Sequence, residues 1–512
     1  MSNSKQLKIG SLLSYAQMII SVVIGIIYTP FILNALGDSE YGLYSTVSST
    51  IAVLSILSLG FNASYIRYYT KYKKEEDYES IYKLNGLFII IFTIIGVVAL
   101  ACGLFLSFNL SYVFAEGLTN IEYETATVLM ILLSFNLAWT FPASVFTSII
   151  SAHEKFIFLK ILGIGKTVLG PLIHIPILLL GYGSIGMVVS TVIITLAIDL
   201  IYFFFVVKKL NQKFIFKNFE KGICKSLFIF TSFIAINLIV DQINNSMGKV
   251  LLGRYKGTSA VTVFSVGHLL YTYYVTFSTS ISGVFTPRVH KIINDTANDK
   301  VEQTRQLTEI FTKVGRIQFL ILGLISTGVI FFGLPFIRYW APNISSHVEA
   351  YCVALLLIVP GTVPLVQNTG IEIQRAQNRH KFRSIVYLCM AIANLVASIF
   401  LCQVWGVIGA SLGTVAHIVI ACGVIMNIYY HKKCNINILH FWKNILRMLL
   451  GLIAPVILGV IMIVFIEITS IWQLLILVLC YVLVYCVSVW LLSMNTYEKD
   501  LIRKVFKKFS RK

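Results

Sequence analysis

The sequence contains little charge, and acidic residues are especially scarce. Only 12% of its 512 residues are charged, with 22 Asp and Glu against 41 Lys and Arg, whereas soluble proteins carry about twice that fraction. None of its nine cysteines forms a C-x-x-C pair, which argues against a metal site or a disulfide framework. Polar gaps longer than about 30 residues are also missing, so we expect no soluble catalytic domain.

Apolar stretches fill most of the chain instead. Hydrophobic residues make up 57% of it, and they recur in runs of about 20, the length that a helix needs to cross a bilayer. We therefore predict an all-α, polytopic membrane protein with about 14 transmembrane helices. The predicted spans lie near 9–33, 42–66, 84–108, 123–150, 157–180, 184–207, 224–249, 258–287, 314–334, 349–371, 384–403, 406–430, 444–467 and 470–493.

The gaps between these spans are alternately basic and nearly uncharged, and this alternation predicts the orientation. Lys and Arg are retained on the cytoplasmic side of membrane proteins. The basic gaps fall on one side, together with the tail residues Lys504, Lys507, Lys508, Arg511 and Lys512. Both termini are therefore predicted to be cytoplasmic. The same rule accounts for the net charge of +19, so we expect no nucleic-acid partner.

A weak internal repeat occurs at a shift of 220–224 residues. The matching positions are Tyr44-Ser45 with Phe264-Ser265, Ala152 with Ala376, and the pair Gly183 and Gly186 with Gly406 and Gly409. Each repeat then holds six spans, an even number, so the two repeats should be parallel. The predicted architecture is an N-lobe in residues 1–210 and a C-lobe in residues 211–435. Two further helices and a basic cytoplasmic tail follow in residues 436–512.

Ionisable residues inside apolar spans are costly and are therefore candidates for function. Lys166 lies about ten residues into the fifth span, roughly 15 Å deep at the helical rise per residue, and Asp199 lies at similar depth in the sixth. Two interpretations stay open: a structural Lys166–Asp199 pair between adjacent helices, or contact with a substrate phosphate or an ion.

The seventh span carries the densest polar stripe. Asn237, Asp241, Asn245 and Lys249 follow one another at four-residue spacing, which places them near one helix face. Arg254 comes next, in a gap predicted to lie outside, where basic residues are otherwise rare. A negatively charged ligand would explain this cluster; hydrogen bonds between helices and an interfacial lysine are the alternative. Asp241 is the deep acid that we single out for coupling to an ion.

Further candidates lie in the first and eighth spans and at the inner ends of the second and eighth. They comprise Gln17 and Tyr28 in the first span, His268 and Tyr271 in the eighth, and the basic residues Arg67, Lys71, Arg288 and Lys291. Aromatic rings and hydrogen-bonding groups suit a sugar, although a lone membrane histidine is more often a helix contact. The four basic residues are explained either as ordinary snorkelling side chains or as an entrance that collects anions.

The span count, the parallel repeat and the strings ALGDSEYGLYS (35–45) and VFTPRVHKI (284–292) resemble a known family. It is the polysaccharide-export branch of the multidrug/oligosaccharidyl-lipid/polysaccharide exporter superfamily, in particular the O-antigen and capsule-unit flippases. This resemblance covers essentially the full chain. It implies that helices one, two, seven and eight line a cationic central cavity. The matching positions here are Gln17, Tyr28, Arg67, Asp241, Asn245, Lys249, His268 and Arg288, whereas the clear midplane cation, Lys166, lies on helix five.

The resemblance also implies a function. Members of the family move undecaprenyl-pyrophosphate-linked oligosaccharides from the inner to the outer leaflet of the bacterial cytoplasmic membrane, for the assembly of surface polysaccharide. We expect alternating access, no enzymatic activity, no metal, and no cofactor other than a coupling H⁺ or Na⁺. The expected partners are the lipid-linked oligosaccharide, membrane lipids and the polysaccharide polymerase machinery.

Three other functions stay open. A flippase for lipid-linked cell-wall precursors would differ from the expected function only in its substrate. A multidrug or cation antiporter of the same superfamily should place acidic residues in its cavity, whereas basic candidates outnumber acidic ones here. A membrane polysaccharide polymerase or glycosyltransferase would act on the same lipid-linked units. Such an enzyme usually has a long external loop with acidic residues, and the sequence offers none.

Overall fold

A computed structural model of the protein describes residues 3–114, 118–219 and 222–509, and every regular element within them is helical. Arg511 and Lys512 of the predicted tail lie outside the described residues. The first half contains α1 (Asn3–Val53), α2 (Phe61–Lys74), α3 (Tyr78–Phe108), α4 (Asn120–Ala152), α5 (Phe156–Leu179), α6 (Gly183–Phe204), α7 (Ile223–Gln242), α8 (Gly248–Tyr255) and α9 (Thr258–Asp295). The second half contains α10 (Lys300–Trp340), α11 (His347–Val366), α12 (Thr369–Ala376), α13 (His380–Ala416), α14 (Met426–Lys433), α15 (Ile438–Met448), α16 (Ile453–Phe465), α17 (Ile471–Leu492) and α18 (Thr496–Phe509).

Ten helical segments of the described chain are long and apolar enough to cross a membrane. This confirms a helical protein with many membrane spans. Two of the segments, Leu12–Ser58 and His380–Lys433, each cover two predicted spans. The seventh and eighth predicted spans correspond to α7–α8 and α9, which are helical but are not among the ten. The count of fourteen stays a prediction.

Single glycines divide the two double-length segments. Gly37 has a φ of +73° within α1, and Gly406 has a φ of +54° within α13. Residues other than glycine rarely adopt this left-handed backbone conformation. The chain can therefore change direction at each glycine with only a short break in the helical hydrogen bonds. These breaks coincide with the gaps predicted between spans one and two and between spans eleven and twelve.

Several helices begin at a side chain that caps their free backbone N–H groups. At the start of α4, Thr119 and Glu122 form a reciprocal capping box. Asp77, Asp299 and Ser346 accept backbone hydrogen bonds at the starts of α3, α10 and α11. Such caps stabilise a helix by about 1 kcal/mol each, and they account for where these helices begin.

The chain folds into two compact units. The first contains the chain up to Ser265 together with Asn343–Ser345 and Tyr387–Ala410. The second contains Val266–Pro342, Ser346–Val386 and the chain from Ser411 onward. The first unit thus includes α7 and α8, which the sequence had assigned to the C-lobe. The predicted lobes themselves stay a prediction.

Each unit has an apolar core rich in aromatic side chains. In the first unit, Phe61 contacts Phe88 and Phe92 edge to face, with ring centroids 6.5 and 6.2 Å apart. In the second unit, Phe332 meets Tyr481 edge to face at 5.4 Å. This geometry is the one that aromatic quadrupoles favour. The polar groups described below are therefore held by well-packed helices.

Candidate functional site

Helices α1 and α5 of the first unit pack in one constant register. Gly10 lies against Phe156, Gln17 against Gly163, and Tyr28 against His174; the partners are 146 residues apart in all three pairs. The contacts on each helix are separated by seven and then eleven residues, close to two and three helical turns. One face of α1 therefore follows one face of α5, and the two predicted residues Gln17 and Tyr28 both lie on it.

Gly163 allows this close approach. A Cβ atom at that position would lie 2.9 Å from Nε2 of Gln17, closer than atoms normally pack. The glycine thus makes room for the Gln17 amide against helix five. This placement gives Gln17 a contact within the first unit, in addition to the cavity role that the sequence suggests.

Tyr28, His174 and Thr191 form a chain of hydrogen bonds across α1, α5 and α6. The Tyr28 hydroxyl lies 2.7 Å from His174 Nδ1, and the Thr191 hydroxyl lies 3.1 Å from His174 Nε2. Thr191 donates its hydrogen to the Met187 carbonyl at 2.8 Å, so it accepts from Nε2–H. Nδ1 of the neutral ring consequently accepts from Tyr28.

The same atoms can hold one more proton. If Nδ1 becomes protonated, it donates to the Tyr28 oxygen, and the tyrosine hydrogen needs another acceptor. Sδ of Met187 lies 3.7 Å from the Tyr28 hydroxyl, within reach of a weak hydrogen bond. Two prolines, Pro171 and Pro176, flank His174 in α5 and remove backbone hydrogen bonds from this stretch of the helix. The arrangement is chemically suited to binding and releasing a proton.

Sequence reasoning missed His174, which is half-buried and follows Lys166 by eight residues. That spacing places both on one side of α5, together with Gly170 between them. The available signal was a histidine two turns beyond the only lysine deep in the span. What the sequence could not show was that Tyr28, on a distant helix, faces it.

Lys166 and Asp199 are both described, and no ion pair within 4 Å joins them. The Lys166 side chain is exposed, while Oδ2 of Asp199 is buried and has no hydrogen-bond partner. The two side chains do interact electrostatically, and the Trp139 indole is close to the Asp199 carboxylate. The two side chains thus interact without a hydrogen-bonded ion pair, and both interpretations stay predictions.

The polar stripe of the seventh span is interrupted by a π-helical turn at Ile243–Met247. A π turn adds one residue to the helical repeat, so residues before and after it do not continue on one face. Asp241 and Asn245 are exposed, and the Asn245 amide donates to the Asp241 carbonyl at 2.8 Å. Lys249 is half-buried. The single stripe expected from four-residue spacing thus bends at the turn.

Side chains beside this stripe tie the seventh span to its neighbours within the first unit. Gln242 donates to the Ser55 hydroxyl at 3.2 Å, and Asn394 donates to the Asn244 amide oxygen at 2.9 Å. Interhelical hydrogen bonds of this kind are the structural explanation that the sequence left open for the stripe. They account for Gln242 and Asn244.

Arg254 binds backbone carbonyls of the loop that follows α3. Its Nη1 donates to the carbonyl oxygen of Tyr112 and to that of Ser111, the latter at 3.3 Å. The guanidinium also lies over the Tyr255 ring, 5.9 Å from its centroid. These contacts give an arginine in a predicted outer gap a structural task. Its position in the substrate cavity stays a prediction.

The predicted residues of the eighth span belong to the second unit. His268 is buried, and its ring meets Tyr271 edge to face with centroids 6.1 Å apart. Tyr271 packs against Gly361 of α11, where a Cβ would lie 2.9 Å from the tyrosine ring. The structure therefore brings His268 and Tyr271 together, whereas Gln17 and Tyr28 are held in the first unit.

The four residues predicted at the inner entrance, Arg67, Lys71, Arg288 and Lys291, are all exposed. The Lys71 ammonium lies 5.4 Å from the centroid of the Tyr72 ring. Arg288 lines a cleft together with Arg305 and Lys313 of α10. Among the described residues, no group of His, Cys, Asp and Glu side chains is arranged to hold a metal ion.

A second functional element that the sequence did not reveal is the buried pair Arg316–Glu498. Two guanidinium nitrogens donate to the two carboxylate oxygens at 2.6 and 2.9 Å, and Arg316 also donates to the Ser493 carbonyl at 2.7 Å. The exposed fractions of the two residues are 6% and 3%. The pair fixes α18 to α10 within the second unit. Their separation of 182 residues gives no local signal.

One contact in the first unit joins positions that the sequence repeat pairs. The hydroxyls of Ser45 and Ser265 lie 2.9 Å apart. Two residues related by an approximate two-fold axis can touch each other only where both are near that axis. The contact therefore supports the predicted parallel repeat, although it does not establish it.

Comparison with known proteins identifies the family. Residues 8–293 match the family model described as polysaccharide biosynthesis protein. No curated protein sequence matches the chain. Among solved structures, the chain is similar to the lipid II flippase MurJ in an inward closed conformation, with a TM-score of 0.68 and 17% identity, over 96% of this chain and 99% of that one.

Multidrug transporters also share the fold. A multidrug resistance MATE family transporter in an inward-facing conformation matches with a TM-score of 0.59 and 11% identity, over 83% of this chain and 99% of that one. A transporter of the MOP superfamily from Pyrococcus furiosus matches with a TM-score of 0.57 and 16% identity, over 83% of this chain and 96% of that one. At these identities the likeness concerns the fold. Because the family model covers more than half of the sequence, the chain belongs to the polysaccharide biosynthesis protein family.

Proposed function

We propose that the protein is a flippase for undecaprenyl-pyrophosphate-linked oligosaccharides, moving them from the inner to the outer leaflet of the bacterial cytoplasmic membrane. Family membership and the fold shared with a lipid II flippase support a lipid-linked cargo. The observation that carries the proposal furthest is the exposed Lys166, roughly 15 Å into α5 at the helical rise per residue. A cation at that depth with no carboxylate within 4 Å among the described residues is costly unless it meets an anion or water.

The chemistry of the cargo fits such a residue. A pyrophosphate carries negative charge and many acceptor oxygens, so moving it unaided through hydrocarbon is prohibitively costly. A lysine ammonium and the hydrogen-bonding groups of the predicted cavity would replace its hydration shell, while the polyprenyl chain stays in lipid. These groups are Gln17, Tyr28, Lys166, Asp241, Asn245, Lys249, Arg254, His268 and Tyr271, with Arg67, Lys71, Arg288 and Lys291 at the entrance. Translocation by alternating access needs no catalytic step.

The driving ion is proposed to be H⁺ or Na⁺. Asp241, exposed next to Asn245, is the acid that the sequence singled out. His174 is a further candidate. Its ring could take up a second proton while Tyr28 and Thr191 remain hydrogen-bonded to the two ring nitrogens. Polysaccharide polymerase machinery is the proposed recipient of the translocated unit.

Lipid analysis of cells that lack the protein tests this function. We expect lipid-linked oligosaccharide to accumulate and surface polysaccharide to be lost. Complementation with Lys166→Gln should fail to restore export, whereas Lys160→Gln, near the start of the same helix, should restore it. Normal polymer together with altered sensitivity to cationic dyes would instead favour a multidrug or cation antiporter, whose fold is equally compatible. Normal translocation with a loss of polymer length would favour a polymerase.

A further inference from the structure

The second unit contains a polar cleft in which basic groups predominate. Its volume is about 360 Å³, and Arg288, Arg305, Glu309, Lys313 and Tyr497 are among the residues that line it. Glu302, outside the lining, pairs with Arg305 at 2.6 Å, so the net positive charge of the cleft comes from Arg288 and Lys313 against Glu309. Glu309 lies 2.5 Å from the Lys313 ammonium and 3.6 Å from Arg305. Arg288 is exposed, and among the described residues no carboxylate lies within 4 Å of it.

An apolar groove lies beside this cleft. Its volume is about 940 Å³, and its walls come from Ile317, Leu320 and Leu324 of α10, Trp490 of α17 and Leu501 of α18. Ligand pockets in proteins occupy about 300–1,000 Å³, so the groove is large enough for a hydrocarbon chain. Its lining is mostly apolar, with Glu498 and Arg503 of α18 as the charged residues among the wall positions.

The cleft and the groove share one stripe of α10. Gln306, Ile310 and Lys313 line the cleft, and Ile317 and Leu324 line the groove. These positions are separated by steps of three, four or seven residues, which keeps them on one helix face. Lys313 and Leu324 are eleven residues apart, roughly 16 Å along the helix. The tail helix α18 contributes to both parts of the site, because Tyr497 lines the cleft and Leu501 lines the groove.

We propose that cleft and groove together form a site for an anionic phospholipid, with its headgroup phosphate on Arg288 and Lys313 and an acyl chain along α10. Basic pockets at the ends of transmembrane helices bind anionic lipid headgroups, and the adjacent groove supplies the apolar contact that a free phosphate would not need. The site fixes the headgroup at one end of α9 and α10. A resident lipid needs a headgroup site at one membrane surface only, whereas the headgroup of a transported lipid must cross the membrane.

The lipid has a structural consequence for the tail. Tyr497 and Leu501 both belong to α18, which the Arg316–Glu498 pair holds on α10. A phospholipid in this site would contact α10, α17 and α18 at once. Its binding therefore stabilises the docked tail helix, independently of what the protein transports.

Thermal unfolding of the purified full-length protein, with phosphatidylglycerol or phosphatidylcholine added, tests the site. We expect phosphatidylglycerol to raise the unfolding temperature more than phosphatidylcholine does. Native mass spectrometry should show Arg288→Gln and Lys313→Gln each weakening phosphatidylglycerol binding roughly fivefold, the effect of removing one basic residue near a headgroup. Glu309→Gln should strengthen it, because the carboxylate competes for Lys313 and Arg305.

Two further variants separate the proposal from its alternatives. Arg375→Gln removes an exposed arginine of α12 in the same unit, paired with Glu372 at 2.7 Å, and should leave lipid binding unchanged. Ile321 of α10 also lines the groove. Ile321→Trp narrows the groove and should weaken the binding of both phospholipids without changing the charge. Equal binding of the two phospholipids to the wild type would overturn the proposal. So would undiminished phosphatidylglycerol binding by Arg288→Gln and Lys313→Gln, or a site that only polyprenyl pyrophosphate occupies.

Discussion

Each unit contains a polar arrangement between helices, and the two arrangements differ in kind. In the first, Tyr28, His174 and Thr191 form a chain of neutral hydrogen bonds across three helices. In the second, Arg316 and Glu498 form an ion pair that is almost fully buried. A neutral imidazole can gain a proton while keeping its partners, whereas removing one member of a buried ion pair leaves an uncompensated charge. The first arrangement is suited to change and the second to fixing a helix in place.

The largest effect is expected from breaking the ion pair. Glu498→Gln leaves the Arg316 guanidinium without its carboxylate, and such a loss costs about 3–5 kcal/mol. It also removes the carboxylate that accepts the Asn495 N–H at 2.9 Å at the start of α18. Chemical denaturation of the purified protein measures the change in the free energy of unfolding. The matched variant Glu372→Gln, in an exposed pair, should cost less than about 1 kcal/mol; equal effects would show that burial of the pair is unimportant.

A smaller effect is expected from breaking the hydrogen bonds that join Tyr28, His174 and Thr191. Tyr28→Phe removes the donor to the half-buried His174 Nδ1, and the loss of one such hydrogen bond costs about 0.5–1.5 kcal/mol. Tyr182→Phe is the control, because the Tyr182 side chain is 66% exposed. If His174 takes part in proton coupling, Tyr28→Phe should also change the pH dependence of export while Tyr182→Phe should not. A loss of stability without any change in the pH dependence of export would show that these hydrogen bonds have only a structural role.

The smallest effect concerns Lys166 and Asp199. Because Lys166 and Asp199 interact electrostatically but form no ion pair within 4 Å, the coupling energy between Lys166→Gln and Asp199→Asn should be at most about 1 kcal/mol, below the roughly 3–5 kcal/mol lost when a direct buried pair is broken. A double-mutant cycle of unfolding free energies measures the coupling. A coupling energy well above about 1 kcal/mol would make the structural pair the better interpretation.

Much of the fold could be predicted from the sequence, because bilayer thickness fixes the length of each apolar run. The breaks at Gly37 and Gly406 lie within or directly beside gaps that the sequence predicts, whereas the parallel repeat stays a prediction. The sequence also shows how polar residues are spaced along a single helix.

The partners of those polar residues could not be predicted. Facing contacts such as Tyr28–His174 and Arg316–Glu498 join residues 146 and 182 positions apart, and spacing along one helix says nothing about them. The π turn after Gln242 is another example, because four-residue spacing assumes an uninterrupted α-helix. For Arg254, a basic residue in a predicted outer gap suggested an anionic ligand, whereas two nearby carbonyls bind it.

The most direct test of the proposed function is transport by the purified protein in proteoliposomes. A labelled undecaprenyl-pyrophosphate oligosaccharide would be placed in both leaflets, and its exposure to an added glycan-binding protein would be followed over time. The flippase proposal predicts that the protected fraction becomes accessible with wild-type protein, and that Lys166→Gln slows this exchange strongly while Lys160→Gln does not. Exchange no faster than in protein-free liposomes, under either imposed ion gradient, would contradict it.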